Sequence, residues 1–110
     1  NLVDSVLIKK DVINAKNKDL DKLIVFVHWG YEYRDFPNSY QKKYNRFFQD
    51  LGVDVVIGSH PHVIQPMEYS KKNNHEFLTV FSLGNFVSNQ RAERKDGGAM
   101  LRLSFQKTDN

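Results

Sequence analysis

The chain has 110 residues, of which 40% are hydrophobic and 26% charged, and it contains no cysteine. This composition is typical of a globular domain with a single core, and it excludes disulfide bonds, thiolate catalysis and cysteine-based zinc sites. The formal net charge of +3 comes from 16 basic and 13 acidic residues, which are dispersed and do not indicate a nucleic-acid partner. No apolar run approaches the roughly 20 residues of a membrane-spanning helix.

The first two predicted elements are a helix and a buried strand. Asp4 or Ser5 is suited to cap a helix over residues 6–17, in which apolar side chains fall on one side and lysines on the other. Residues 22–28 form a continuous run of mainly β-branched and aromatic types. Such a run predicts a strand that is buried on both faces and carries His28 at its carboxyl end.

A second helix and a second strand follow a loop. Asn38 or Ser39 is suited to cap a helix whose apolar residues recur at helical spacing over positions 40–51, and Gly52 is suited to end it. Residues 53–58 are again short, apolar and β-branched. The connection between the two strands is long enough for a parallel crossover, so the sequence predicts an α/β architecture.

The last part of the chain predicts antiparallel structure. Residues 65–69 and 76–82 are candidates for extended segments, separated by a Lys-Lys-Asn-Asn turn, which indicates a hairpin. Residues 88–98 are polar and predict a loop. Apolar and polar residues alternate over positions 99–105, which predicts a final strand with one buried face.

Three histidines fall where the first two predicted strands end: His28 closes the first strand, and His60 and His62 follow the second. Ligands of open α/β sheets bind beyond the carboxyl ends of strands, so neighbouring strands would bring the three imidazoles into one cavity. Neutral imidazole is the commonest side-chain metal ligand. Pro61 favours extended backbone at His60, in which residues two apart project to the same side. On this pattern alone, metal ligation and a structural role both remain open.

Other candidate residues lie near these histidines in the sequence. Glu32 is a candidate metal ligand or acid–base group, or else a loop charge in water. Trp29 and Tyr31 are candidates either to line a substrate cleft or to pack in the core. Asn85 lies in a Ser-Leu-Gly-Asn-Phe segment that predicts a tight turn, from which its amide could face the pocket and contact substrate. His75 lies beside the predicted turn and is expected to be an ordinary surface residue.

Three segments, in this order and at matching spacing, resemble one bacterial family. They are His-Trp-Gly-Tyr-Glu-Tyr at residues 28–33, the segment 52–66 with its Gly-Ser-His-Pro-His core, and Phe-Ser-Leu-Gly-Asn-Phe-Val at residues 81–87. On these motifs the chain resembles the CapA family of poly-γ-glutamate capsule-synthesis proteins, which is similar to the calcineurin-like metallophosphoesterases. The resemblance implies an incomplete α/β sandwich, in which residues 1–110 form the C-terminal portion of a single domain.

The resemblance also implies roles for individual residues. His28, His60 and His62 match histidine ligands of a site that binds two divalent ions of manganese, zinc or iron and activates a water against phosphorus. Glu32 matches the acid of a His-Trp-Gly-x-Glu motif, and Glu32 and His60 are the expected catalytic residues. The superfamily's Gly-Asp and Asn-His motifs lie upstream of these histidines, and residues 1–27 contain neither. The chain alone is therefore expected to have little or no hydrolytic activity and to expose an unpaired sheet edge.

The implied function is biosynthesis or export of poly-γ-glutamate or a related anionic capsule. The implied partners are this polymer or a phosphoester substrate, together with subunits of the capsule synthase or exporter. The implied location is extracytoplasmic and membrane-associated, with the anchor in sequence outside this chain. Two alternatives remain: a non-catalytic surface module that binds the polymer or partner subunits, and a cytoplasmic metal-dependent phosphoesterase for nucleotides or sugar phosphates.

Overall fold

A computed structural model describes residues 4–109, which form two helices and a four-stranded sheet. In chain order the elements are α1 (Ser5–Lys16), β1 (Ile24–His28), α2 (Ser39–Asp50), β2 (Val55–Ser59), β3 (Ile64–Lys72) and β4 (His75–Leu83). The strand order is β1-β2-β4-β3, in which β2 is parallel to both β1 and β4 and β3 is antiparallel to β4. The predicted α/β class, parallel crossover and hairpin are confirmed.

Both helices begin at residues whose side chains satisfy free backbone N–H groups. Asp4 caps α1 by accepting two such hydrogen bonds. Asn38 caps α2 through a capping box, in which the side chains of Asn38 and Gln41 each accept a hydrogen bond from the other residue's N–H. Gly52, with a φ of 78°, follows α2 as predicted. Neither helix within residues 4–109 is long and apolar enough to cross a membrane.

The core lies where the helices pack on the sheet. Its buried apolar side chains come from both helices, the sheet and the connecting segments: Val12, Trp29, Phe48, Val53, Val56, Phe77 and Phe81. Buried polar contacts also cross the helix–sheet interface, and in one of them the Thr79 hydroxyl donates to the side-chain oxygen of Asn45. The pair fixes α2 against β4, because a buried hydroxyl without an acceptor would be costly.

The hairpin of β3 and β4 turns at two asparagines. Asn73 and Asn74 both have positive φ values, 51° and 62°, which is the backbone of the two-residue turns that favour Asn and Gly. Both strands are longer than the predicted segments. The turn between them is shorter than the predicted Lys-Lys-Asn-Asn, because Lys71 and Lys72 belong to β3. Tyr69 donates a hydrogen bond of 2.7 Å to Glu76, and this contact raises the pKa of Tyr69 above its ordinary value.

His75, the first residue of β4, differs from its prediction. Its Nε2 lies 3.3 Å from a carboxylate oxygen of Asp54, although without the geometry of a hydrogen bond. The Asp54 carboxylate also accepts hydrogen bonds from the Leu23 N–H and the Lys22 ammonium. His75 is therefore part of a polar cluster at the amino ends of the strands, rather than an ordinary surface residue.

Strand β1 also differs from its prediction, since it is not buried on both faces. Val25 and Val27 pack against the core, whereas Phe26, on the other face, is 77% exposed. Within residues 4–109, β1 is an edge strand and no element covers the side chain of Phe26. The expected unpaired edge is present. The continuous apolar run gives both faces of β1 the composition of a buried strand, but the described residues cover only one of them.

The predicted final strand is absent from the described residues. Residue Gly98 forms a single bridge with Gly84, and the Ala99 N–H donates to the carbonyl oxygen of Leu83. Residues 99–109 have no further strand pairing. Positions 99, 101 and 103 are nonetheless partly buried while those between them are exposed. The alternation correctly predicts which side is covered over residues 99–103, but Phe105, the last apolar position of the pattern, is 54% exposed. The predicted pairing is wrong, because an extended segment can cover a surface without joining a ladder.

Candidate functional site

The carboxyl ends of β1 and β2 lie side by side and bring three histidines together. His28, the last residue of β1, is in register with Ser59, the last residue of β2. The ring centroids of His28 and His60 are 4.3 Å apart, and those of His60 and His62 are 5.7 Å apart. All three imidazoles therefore lie at one end of the sheet.

The backbone that carries His60 and His62 is bent, and the extended geometry predicted for it is wrong. Their φ values are 98° and 60°, in the left-handed region that side chains with a Cβ disfavour. Each such residue costs on the order of 1–3 kcal/mol and persists only where its surroundings impose the conformation. The two histidines are therefore gathered by a strained turn, and not by the alternation of a strand.

One acidic residue joins the two histidines of the turn. Glu32, His60 and His62 each offer a ligand atom, and these atoms all lie within 4.8 Å of one another. The Glu32 carboxylate is half-exposed and its Oε1 lies 3.7 Å from Nε2 of His62, which is longer than a hydrogen bond. His28 contacts the ring of His60 but is not part of this group of three.

Asn85 determines which nitrogen of His62 faces Glu32. The Asn85 side-chain N–H groups donate to the Lys95 carbonyl oxygen and to Gln90, at 2.8 and 3.2 Å, so the amide oxygen faces His62. His62 Nδ1 is therefore the donor in the 2.9 Å hydrogen bond to that oxygen. The neutral ring then carries its lone pair on Nε2, opposite the Glu32 carboxylate. Two electron-rich atoms face each other, an arrangement that a cation between them would stabilise.

The loop at residues 29–38, here called the Glu32 loop, is attached through Tyr33 to the turn at residues 60–63, here called the histidine turn. The Tyr33 N–H donates to the Pro61 carbonyl oxygen at 2.7 Å, and its ring centroid is 6.0 Å from that of His62. The ammonium of Lys95 lies over the same ring, 3.8 Å from its centroid. Neither Tyr33 nor Lys95 was a predicted site residue, because both contacts join segments whose approach no local pattern indicates.

Positive φ values cluster around this site. Six residues other than glycine have them within residues 4–109, and two belong to the hairpin turn. The other four surround the candidate site: Tyr33, His60, His62 and Arg94. Arg94 pairs with Asp35 of the Glu32 loop. Backbone strain of this kind concentrates at functional sites, where the surrounding structure maintains it.

The predicted substrate-contacting residues have different environments. Trp29 is 3% exposed, and its indole N–H donates to the Phe81 carbonyl oxygen at 2.9 Å. It packs in the core, which is the second of the two alternatives predicted for this residue. The Asn85 amide is occupied by His62, Lys95 and Gln90, and thus contacts the site through His62 instead of presenting free polar atoms to a substrate. Tyr31 is 69% exposed, and its substrate contact stays a prediction.

Comparison with known proteins identifies the family. The family model described as "Bacterial capsule synthesis protein PGA_cap" matches residues 3–90. The chain belongs to this family. It is 34% identical over 96 residues to "PGA biosynthesis protein CapA" of Bacillus subtilis (strain 168), a match that covers 87% of the chain and 24% of that relative. It is 33% identical over 93 residues to "Capsule biosynthesis protein CapA" of Bacillus anthracis, covering 84% and 22%.

The resemblance drawn from the three motifs is thus confirmed, and a relation to the metallophosphoesterases is consistent with this family. Capsule biosynthesis is supported as the role of the family. The chain spans about a quarter of the length of these two relatives. No solved structure matches it significantly. All three motifs, including Glu32 and the histidines, lie within the matched residues, whereas Arg94 and Lys95 lie beyond them.

Proposed function

We propose that the chain supplies part of a divalent-metal centre in a protein of capsule biosynthesis, and that Glu32, His60 and His62 bind one of the ions. The observation that carries the proposal is the convergence of their ligand atoms within 4.8 Å, with the lone pair of His62 directed at the Glu32 carboxylate. Two imidazoles and a carboxylate suit zinc, manganese or iron.

A complete two-metal centre needs ligands besides Glu32, His60 and His62. His28, whose ring contacts His60, is the candidate ligand of a second ion. The Gly-Asp and Asn-His motifs that complete a two-metal shell in the metallophosphoesterases do not occur before His28 in this sequence. The proposal therefore treats the chain as the C-terminal portion of one domain, with the other ligands supplied by the full-length protein. On its own the chain would have little or no hydrolytic activity.

Besides binding an ion, the chain's own residues would have two roles at this centre. Asn85 holds His62 in the tautomer whose Nε2 can bind an ion. Half-exposed Glu32 is accessible to a substrate and, with His60, is the proposed catalytic pair that accepts or delivers a proton. When bound, a divalent cation supplies Lewis-acid polarisation of a phosphoryl or carbonyl oxygen. The fit to a metal thus follows from the donor set and its orientation.

The proposed substrate is anionic, either poly-γ-glutamate or a phosphoester. The names of the two relatives, which state PGA and capsule biosynthesis, support the polymer. The ammonium of Lys95 over the Tyr33 ring supports an anionic substrate by adding positive charge near the site, whereas the charge of Arg94 is paired with Asp35. Synthase or export subunits as partners, and an extracytoplasmic, membrane-associated location, complete the proposal. Nothing among the described residues favours the cytoplasmic phosphoesterase.

Elemental analysis of the full-length protein tests the metal centre. After purification without chelators, we expect about two divalent ions per molecule and their loss in His60→Ala and His62→Ala. His75→Ala is the matched control, since His75 lies at the opposite ends of the strands and contacts Asp54. It should retain the metal. Full-length protein that binds no manganese, zinc or iron would overturn the metal proposal and leave a non-catalytic module that binds polymer or partner subunits.

A further inference from the structure

We propose that Gln65 is a positioning residue that, together with Gln41, holds the Glu32 loop against the histidine turn. The two side chains are among the most deeply buried polar groups in the described residues, at 2% and 1% exposure. Neither belongs to the candidate ligands. The effect of Gln65 on metal binding rests on the function proposed above, but its effect on the Glu32 loop does not.

The two side-chain amides form a chain of hydrogen bonds, here called the relay, that joins Arg34 and Asn38, the two ends of the segment 34–38. The Gln65 Nε2 donates to the Arg34 carbonyl oxygen, and the Gln41 Nε2 donates to the Gln65 Oε1, each at 2.8 Å. The Gln41 Oε1 accepts from the Asn38 N–H at 3.1 Å. Both ends are main-chain groups of fixed polarity, so each amide has only one orientation that satisfies the relay.

The position of the relay couples the loop to the histidines. Gln65 lies three residues after His62, and its acceptor Arg34 lies two residues after Glu32. Together with the hydrogen bond from Tyr33 to Pro61, it forms a second connection between the segment with the carboxylate and the segment with the imidazoles. Loss of either connection would let the carboxylate and the imidazole nitrogens separate.

The loop also packs directly on the relay. Gly30 has a φ of 78°, and a Cβ at this position would come within 2.6 Å of the Gln41 amide carbon and oxygen. Buried amides stabilise a fold only when they are fully hydrogen-bonded, and an apolar pair would fill the same space without that requirement. A directional pair of amides is therefore better explained by the need to fix a loop than by packing alone.

The test compares two buried hydrogen-bond deletions in the full-length protein. Gln65→Met keeps the length of the side chain but removes both of its hydrogen bonds. Thr79→Val is the control, because it removes the buried contact to Asn45 at a site without contact to the loop. We expect Gln65→Met to weaken binding of Mn²⁺ by about 10-fold or more, as loss of a group that orients ligands does, and Thr79→Val to change it less than about 2-fold.

Hydrogen exchange of the Tyr33 amide gives a readout that does not require metal. We expect Gln65→Met to accelerate this exchange at least about 10-fold and Thr79→Val to leave it unchanged. If wild-type protein binds none of Mn²⁺, Zn²⁺ and Fe²⁺, the proposed function fails and the exchange rates alone decide the inference. Equal effects of the two variants on exchange, or on Mn²⁺ affinity where the wild type binds it, would overturn the positioning role.

A measurement on unsubstituted protein covers the case in which Gln65→Met does not fold. The side-chain amide protons of Gln65 should exchange far more slowly than those of Gln49, whose amide donates to Ser70 and is only partly buried. Similar exchange rates for the two side chains would show that the relay is not maintained in solution, and would overturn the inference.

Discussion

Each end of the sheet places an imidazole Nε2 near a carboxylate without a hydrogen bond, and the two ends differ in the other partners of the carboxylate. At the amino end, the Asp54 carboxylate accepts hydrogen bonds from the Leu23 N–H at 2.8 Å and from the Lys22 ammonium at 3.2 Å. At the carboxyl end, the Glu32 carboxylate lies 3.7 Å from Nε2 of His62, which carries the lone pair in the neutral ring. The first carboxylate is matched by donors of the fold itself, and the second is aimed at another acceptor.

The backbone is regular at the amino end of the sheet and strained at the carboxyl end. His75, at the amino end, lies in a regular strand, whereas His60 and His62 adopt positive φ values. Strain and facing acceptors both cost free energy in the absence of a ligand, and a cation at the carboxyl end would offset both. The contacts at the amino end stabilise the fold, whereas the strained turn at the carboxyl end is the feature on which the proposed metal site rests.

The largest expected contrast comes from a glycine at each end. A Cβ at Gly58 would overlap the Phe81 carbonyl oxygen and the Trp29 indole nitrogen, so Gly58→Ala must displace the core and should cost about 3 kcal/mol or more. A Cβ at Gly52 meets only the flexible end of Lys16, and Gly52→Ala should cost the roughly 1–2 kcal/mol of a left-handed residue. Urea denaturation measures both. Equal losses would contradict the tight packing under the site.

The second contrast concerns the polar partner of a histidine at each end. Asn85→Ala removes the acceptor for His62 Nδ1 and should reduce metal affinity about 10- to 100-fold in the full-length protein, because the ring loses its fixed tautomer. Asp54→Ala removes the contact with His75 and should lower stability while leaving metal affinity within about 2-fold. Titration with Mn²⁺ at one pH measures the metal affinity of both variants. Unchanged affinity in Asn85→Ala would show that His62 is oriented by other contacts.

Local sequence patterns predicted most of the fold and the approximate place of the site. The caps at Asp4 and Asn38, the stop at Gly52 and the hairpin are properties of a few consecutive residues. Because both His28 and His60 follow directly from strand ends, a parallel pair of strands was enough to bring them together. Burial of β1 was not predictable in this way, since it depends on what covers Phe26.

The detailed geometry of the site could not be predicted because it depends on contacts between distant segments. The Gln41–Gln65 relay joins residues 24 positions apart, and neither glutamine has a local pattern that indicates its partner. The left-handed backbone at His60 runs against the usual preference of a residue before proline. Propensity describes the average residue, and at this turn the surrounding structure overrides it.

The smallest expected contrast is between His60→Gly and His75→Gly, which should change the free energy of unfolding in opposite directions. His60→Gly relieves strain of on the order of 1–3 kcal/mol and loses about 0.5–1 kcal/mol to the greater freedom of unfolded glycine, so metal-free protein should become about 1 kcal/mol more stable. His75→Gly places glycine at an unstrained strand position and removes the contact with Asp54, so it should cost about 1 kcal/mol.

Urea denaturation with chelator present measures both variants, and the metal content of His60→Gly should fall at the same time. A stability gain coupled to a loss of metal is the signature of strain that is maintained for binding. If His60→Gly instead destabilises the metal-free protein as much as His75→Gly does, the turn serves the fold at the carboxyl end in the same way as the Asp54 cluster does at the amino end.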